Sequence, residues 1–141
     1  IFKIALIATL IHECTRMTRI LHPELSYKLT GICYEVHNKL GRFCREKQYA
    51  DELEKQLQEK GLVFKREYPL KNIGDGIDGN IVDFIIEDTV LMDLKAKKFI
   101  TKEDYYQMLR YLKSSNLQLG LVVNFRSTYL KPKRIINLKP Q

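Results

Sequence analysis

The spacing of apolar residues changes period along the chain, and those changes mark out its elements. After His22-Pro23, the residues Leu29, Ile32, Cys33, Val36 and Leu40 recur at the three-and-four spacing of one helical face, and Gly41 ends the stretch. A second helix is predicted from about Arg45 to Lys60, with Tyr49, Leu53 and Leu57 as its stripe and Gly61 as a C-terminal cap. The period then shortens. Leu62 to Leu70 reads as a strand, and the turn-rich run Asn72 to Asn80 follows. Ile81 to Glu87 and Val90 to Ala96 are short and apolar, with Asp88-Thr89 between them, so they are expected to pair as an antiparallel hairpin. A helix begins near Thr101, where Asp104 three residues on completes a capping-box variant. Its core stripe is Tyr105, Met108, Leu109 and Leu112, and Leu117 to Phe125 closes the pattern as a strand.

The unit from Val90 to Phe125, strand–helix–strand, predicts a right-handed parallel crossover. The order helix, helix, three strands, helix, strand predicts an α/β (α+β) layer architecture around one mixed sheet. The chain has 141 residues, enough for one domain with a real core, and no internal repeat. Ile4 to Ile11 is apolar but too short to span a bilayer, and no small-residue cleavage site follows it. The composition shift there makes residues 1–16 an expected extension, with Met17 as the expected start of a single domain over 17–141. No membrane association is expected.

Charge changes the picture modestly. The net formal charge of +7 favours a polyanionic partner, nucleic acid above all, although solubility alone also explains a basic chain. Arg126, Lys131, Lys133, Arg134 and Lys139 fall in a C-terminal tail without an acidic residue, which is read either as a contact to a nucleic-acid backbone or as a solvated terminus. Three cysteines without disulfide spacing predict a reducing, cytoplasmic setting. His12, Cys14, Cys33, His37 and Cys44 lack the spacing of a zinc site. Gly74 to Gly79 lacks the alternating ligands of a calcium loop.

The chemistry lies in the hairpin. Val90, Met92, Leu94 and Ala96 take one face of their strand, so Asp93 and Lys95 share the other. Antiparallel pairing brings Asp83 of the preceding strand close to Asp93. Two carboxylates and a lysine then converge, a set suited to Mg²⁺, which takes one or two carboxylates and several waters. The plain alternative is a structural salt bridge, since an Asp-x-Lys tripeptide on a half-exposed strand is common. Gln107 and Tyr111, four apart, share a helical face with Glu103 and Ser114, expected opposite the core stripe. Glu46 is expected to point with Tyr49, Ala50 and Leu53, where a carboxylate needs either a metal or a basic partner.

Asp83, Asp93-Leu94-Lys95 and Gln107-x-x-x-Tyr111 together resemble the PD-(D/E)XK nuclease pattern with the Gln-x-x-x-Tyr element of its RecB-like branch. More specifically, Glu35-Val-His-Asn-Lys-Leu-Gly41, Glu46-Lys-Gln-Tyr49 and Gln118 to Phe125 are similar to the GxxExxY family, over about Leu29 to Asn137. The resemblance implies a restriction-endonuclease-like αβββαβ core with a mixed four-stranded sheet flanked by helices. It implies metal held by Asp83 and Asp93, with Glu46 as a further acidic residue, Lys95 as the catalytic lysine, and Gln107 and Tyr111 in support. The expected cofactor is Mg²⁺, with Mn²⁺ as a substitute, and the expected substrate is DNA ahead of RNA. The sequence departs from the family twice: Asp93 stands for the usual Glu, and Phe43 stands where the Gly-x-x-Glu motif has its second glycine. The alternatives are a nucleic-acid-binding module of the same fold without chemistry, and a protein whose basic surface meets an acidic partner.

Overall fold

The computed structural model describes residues 22–70 and 80–138. The expected extension over residues 1–16, the expected start at Met17, most of the Asn72–Asn80 turn and Lys139 lie outside them. Two helices come first, α1 (Pro23–Leu40) and α2 (Glu46–Glu59), then three strands, β1 (Phe64–Pro69), β2 (Ile81–Ile86) and β3 (Val90–Lys95). The helix α3 (Lys102–Ser115) leads to β4 (Leu119–Asn124), and β5 (Lys133–Ile136) closes the order.

Local chemistry sets most of these boundaries. Pro23 occupies the first turn of α1, where its missing N–H costs nothing. The chain leaves α1 through Gly41 at φ 77°. At the start of α2, Gln48 Oε1 accepts from the Arg45 N–H at 2.9 Å. The predicted cap of α3 forms: Asp104 Oδ2 accepts from the Thr101 N–H at 2.7 Å. The β2–β3 hairpin turns at Glu87 (φ 51°) and Asp88 (φ 54°), with the Thr89 N–H donating to Ile86 C=O at 3.0 Å. Two successive positive φ values are what a tight right-twisted hairpin requires, so the turn centres one residue earlier than the sequence pattern placed it.

The strands form one mixed sheet in the order β1-β2-β3-β4-β5. The pairs β1–β2, β2–β3 and β4–β5 are antiparallel, and β3–β4 is the expected parallel pair, with Asp93 beside Val122 and Lys95 beside Asn124. The sheet therefore has five strands where four were expected. The fifth comes from the region read as a basic tail: Ile135 and Ile136 are buried while Lys133 and Arg134 stay exposed.

Two apolar clusters sandwich the sheet. On one side α1 and α2 bring Leu29, Ile32, Tyr49, Leu53 and Leu57 onto Phe84, Met92, Leu94, Leu121 and Phe125. On the other, Met108, Tyr111 and Leu112 of α3 cover Ile85, Leu91, Val122 and Ile135. The approach of α3 is close at Gly120 of β4, where an added Cβ would lie 2.7 Å from Met108 Cγ. Among the described residues no helix is long and apolar enough to cross a membrane.

Candidate functional site

Alternation along β3 puts Leu91, Asp93 and Lys95 on the α3 side of the sheet, under Gln107 and Tyr111. Phe84 pairs with Met92 across the hairpin, so one further step of the same register sets Asp83 opposite Asp93. Asp83 Oδ2 accepts from the Leu94 N–H at 2.6 Å, which fixes its carboxyl against β3. Asp93 is buried, and its Oδ2 lies 2.9 Å from Lys95 Nζ. That contact is ionic rather than a directed hydrogen bond, because Oδ2 finds no aligned donor among the described residues. Lys95 Nζ instead donates to Gln107 Oε1 at 3.0 Å, which aims the ammonium from the helix side.

The electrostatics follow from this crowding. Burial first, and then the neighbouring Asp93 charge, push the Asp83 carboxyl up to about 7. Burial works to lower the Lys95 pKa, but Asp93, Asp104 and Glu46 outweigh it, and the net direction is upward. Lys95 is therefore held as an ammonium ion. Burial, and next the Asp93 charge, raise the Tyr111 hydroxyl.

Asp83, Asp93, Lys95, Gln107 and Tyr111 thus come together. Two of the predicted residues stand differently from expectation. Tyr111 does not lie on a polar face; it is buried beside Met108 and Leu112, because the face it shares with Gln107 is turned onto the sheet, where Gln107 meets Lys95. Glu46 is exposed rather than buried with the Tyr49–Leu53 stripe, because it is the first residue of α2. It is still close enough for its charge to act on Asp83 and Lys95.

Two further residues were missed. Asp104 Oδ1 lies 2.7 Å from Lys97 Nζ and 3.9 Å from Lys95 Nζ, so the capping residue also faces the site. Its position one helical turn before Gln107 was the available signal. Asn124 ends β4 as a buried polar residue in an otherwise apolar strand, which was the other signal. Its Oδ1 accepts from the Lys97 N–H at 3.1 Å and its Nδ2 donates to Lys97 C=O at 2.8 Å, which holds the chain just past Lys95.

Tyr49 organises the other side. Its hydroxyl donates to Gly41 C=O at 2.6 Å and accepts from the Cys44 N–H at 3.2 Å, while its ring stacks on Phe125 with centroids 4.4 Å apart. The loop carrying Glu46 is thereby tied to the end of β4. Neither cysteine at hand suggests metal chemistry: Cys33 and Cys44 are free thiols, and burial pushes Cys33 up to about 12.

Among the described residues no three His, Cys, Asp or Glu side chains cluster tightly enough for an all-protein metal cage. The site instead offers two adjacent carboxylates, one with a buried oxygen that has an ionic contact to Lys95 but no hydrogen-bond donor among the described residues. That donor set matches a hard cation that keeps several waters. No curated protein and no solved structure matches the chain. The family model of the PD-(D/E)XK nuclease superfamily matches residues 23–136, which take in both helical layers and all five strands. The chain belongs to the PD-(D/E)XK nuclease superfamily, and nucleic acid is the class of substrate that membership implies.

Proposed function

We propose that this protein is a Mg²⁺-dependent nuclease of the GxxExxY branch that hydrolyses phosphodiester bonds, in DNA ahead of RNA. The observation that carries this reading is the opposed pair Asp83 and Asp93 with Lys95 anchored beside them by Gln107. When bound there, Mg²⁺ would neutralise charge on the scissile phosphate and acidify the attacking water.

The residues divide the remaining work. Asp83 and Asp93 would hold the cation, whose charge would relieve the repulsion between them. Lys95, kept protonated by its carboxylate neighbours, donates to the water or to a phosphate oxygen and balances the growing negative charge. As an ammonium it is a donor rather than a general base. Gln107 fixes the direction of that donation. Tyr111, buried on the α3 side above Asp93, covers the site and keeps bulk water away. Glu46, exposed at the start of α2, supplies an outer carboxylate whose charge reaches Asp83 and Lys95.

The test is titration of Mg²⁺ and Mn²⁺ into the wild type and an Asp83→Ala, Asp93→Ala double variant, followed by cleavage assays on single- and double-stranded DNA and RNA. Metal binding and cleavage in the wild type alone are expected. Lys95→Ala should bind metal yet lose cleavage by at least about a hundredfold. A wild type that cuts nothing with either metal, while binding nucleic acid, would establish the non-catalytic binding module in its place.

A further inference from the structure

The departure at Phe43 leaves a feature that the hydrolytic site does not use. Phe43 sits in the loop between α1 and α2, three residues before Glu46, and 73% of it is exposed. Two guanidinium groups lie over its ring, Arg42 at 4.9 Å and Arg126 at 5.0 Å. Arg42 Nε donates to Arg126 C=O at 2.8 Å, so the loop and the end of β4 carry this stack jointly. Among the described residues neither arginine forms an ion pair with a carboxylate.

Its place relative to the site is fixed by the backbone. The Phe125 N–H donates to Lys95 C=O at 2.9 Å, and the Arg126 N–H donates to Asn124 Oδ1 at 3.3 Å. The stack therefore stands at the end of the sheet where β3 delivers Lys95. The ring is 73% exposed and shares its surroundings with two guanidinium planes, and that pair of chemistries names a ligand. A ring and a guanidinium plane each accept the flat face of a nucleobase, and unpaired arginines accept the phosphate beside it. A base within a duplex has no free face, so the ligand must present an unstacked base.

We infer that Phe43, with Arg42 and Arg126, is a stacking platform for an unpaired base of a single-stranded nucleic acid passing the hydrolytic site. This rests on the nucleic-acid substrate of the reading above and narrows it to strands with splayed bases.

Binding is to be measured by fluorescence anisotropy in EDTA, where no cleavage contributes, with an oligothymidylate, an oligouridylate, an abasic strand of equal length and a matched duplex. Phe43→Ala is expected to weaken oligothymidylate binding about tenfold, a typical loss for one stacked base. It should leave the abasic strand and the duplex within about twofold, and Phe43→Trp should restore wild-type affinity. The uridylate arm shows whether the strand is DNA, RNA or either. Tyr27→Ala is the control, since Tyr27 is equally exposed but lies roughly 20 Å up α1. Equal affinity of the wild type and Phe43→Ala for base-bearing strands overturns the inference. So does an equal loss on the abasic strand, or a wild type that binds no single strand. A wild type inert with Mg²⁺ that still shows the base-dependent loss sinks the hydrolase reading and keeps the platform. A cleaving wild type whose Phe43→Ala variant binds single strands normally does the reverse.

Discussion

Asp83 and Asp93 face each other across two antiparallel strands, and their repulsion makes the pair sensitive to anything that removes one charge. With its carboxyl pushed up to about 7, Asp83 holds a proton over a range where an ordinary aspartate is ionised. A cation must displace that proton. Apparent Mg²⁺ affinity should therefore fall about tenfold for each pH unit below 7, which calorimetric titration between pH 5.5 and 8 would reveal. A flat profile would mean that Asp83 does not bind the metal. Stability runs the opposite way. The folded pKa is raised above the unfolded 3.8, so the metal-free fold keeps that contribution in full below pH 3.8 and loses it progressively up to about pH 7. Asp83→Asn removes the penalty while its side-chain oxygen still accepts from Leu94. In EDTA at pH 8 the variant should melt above the wild type, by an increment capped at about 4 kcal/mol. At pH 4 most of that gain should vanish.

At the scale of elements, the site depends on how closely α3 approaches β4. Gly120 allows Met108 to lie on the strand backbone, and that contact sets the height of Gln107 above Lys95. Gly120→Ala should destabilise the fold by about 1–3 kcal/mol, because Met108 must leave its position. Adding Met108→Ala should make the second cost smaller than Met108→Ala alone, a coupling that a double-mutant cycle in denaturant measures. On the other layer, Tyr49→Phe keeps the stack on Phe125 but strands Gly41 C=O and the Cys44 N–H. A loss of about 1–3 kcal/mol is expected. Elements built on local rules were legible in the sequence: the α3 cap at Thr101, the hairpin, and the shared face of Asp93 and Lys95. Features set by tertiary packing were not. Tyr111 looked polar-facing because helical spacing gives an angle but not the partner layer. Glu46 keeps the spacing of the stripe but is exposed at the helix start, which spacing alone does not show. Ile135 and Ile136 were too short an apolar run to stand out from the basic residues around them, and only pairing with β4 makes them a strand.

For the whole molecule, the fifth strand changes what the basic residues can do. The sheet register places Asp93 beside Val122 and Val122 beside Lys133, so Lys133 lies in the same row as the acidic pair. Two strand spacings put it about 10 Å across the sheet. Lys133 of the basic C-terminal segment is thus fixed beside the site, with Arg126 and Lys131 on the connection between β4 and β5. A net charge of +7 used only for solubility would have no reason to be organised in this way. If it serves binding, each contacted phosphate releases counterions, and the logarithm of single-strand affinity falls with the logarithm of salt by about 0.7 per contact. Lys131→Gln with Lys133→Gln should then flatten the slope by about 1.4 while leaving the melting temperature nearly unchanged, since both side chains are exposed. Lys65→Gln serves as the control: its charge sits beside Asp88 at the hairpin turn, away from Lys95, and its loss should not alter the slope. An unchanged slope in the double variant would assign the charge excess to solubility and leave substrate binding to the platform and the metal alone.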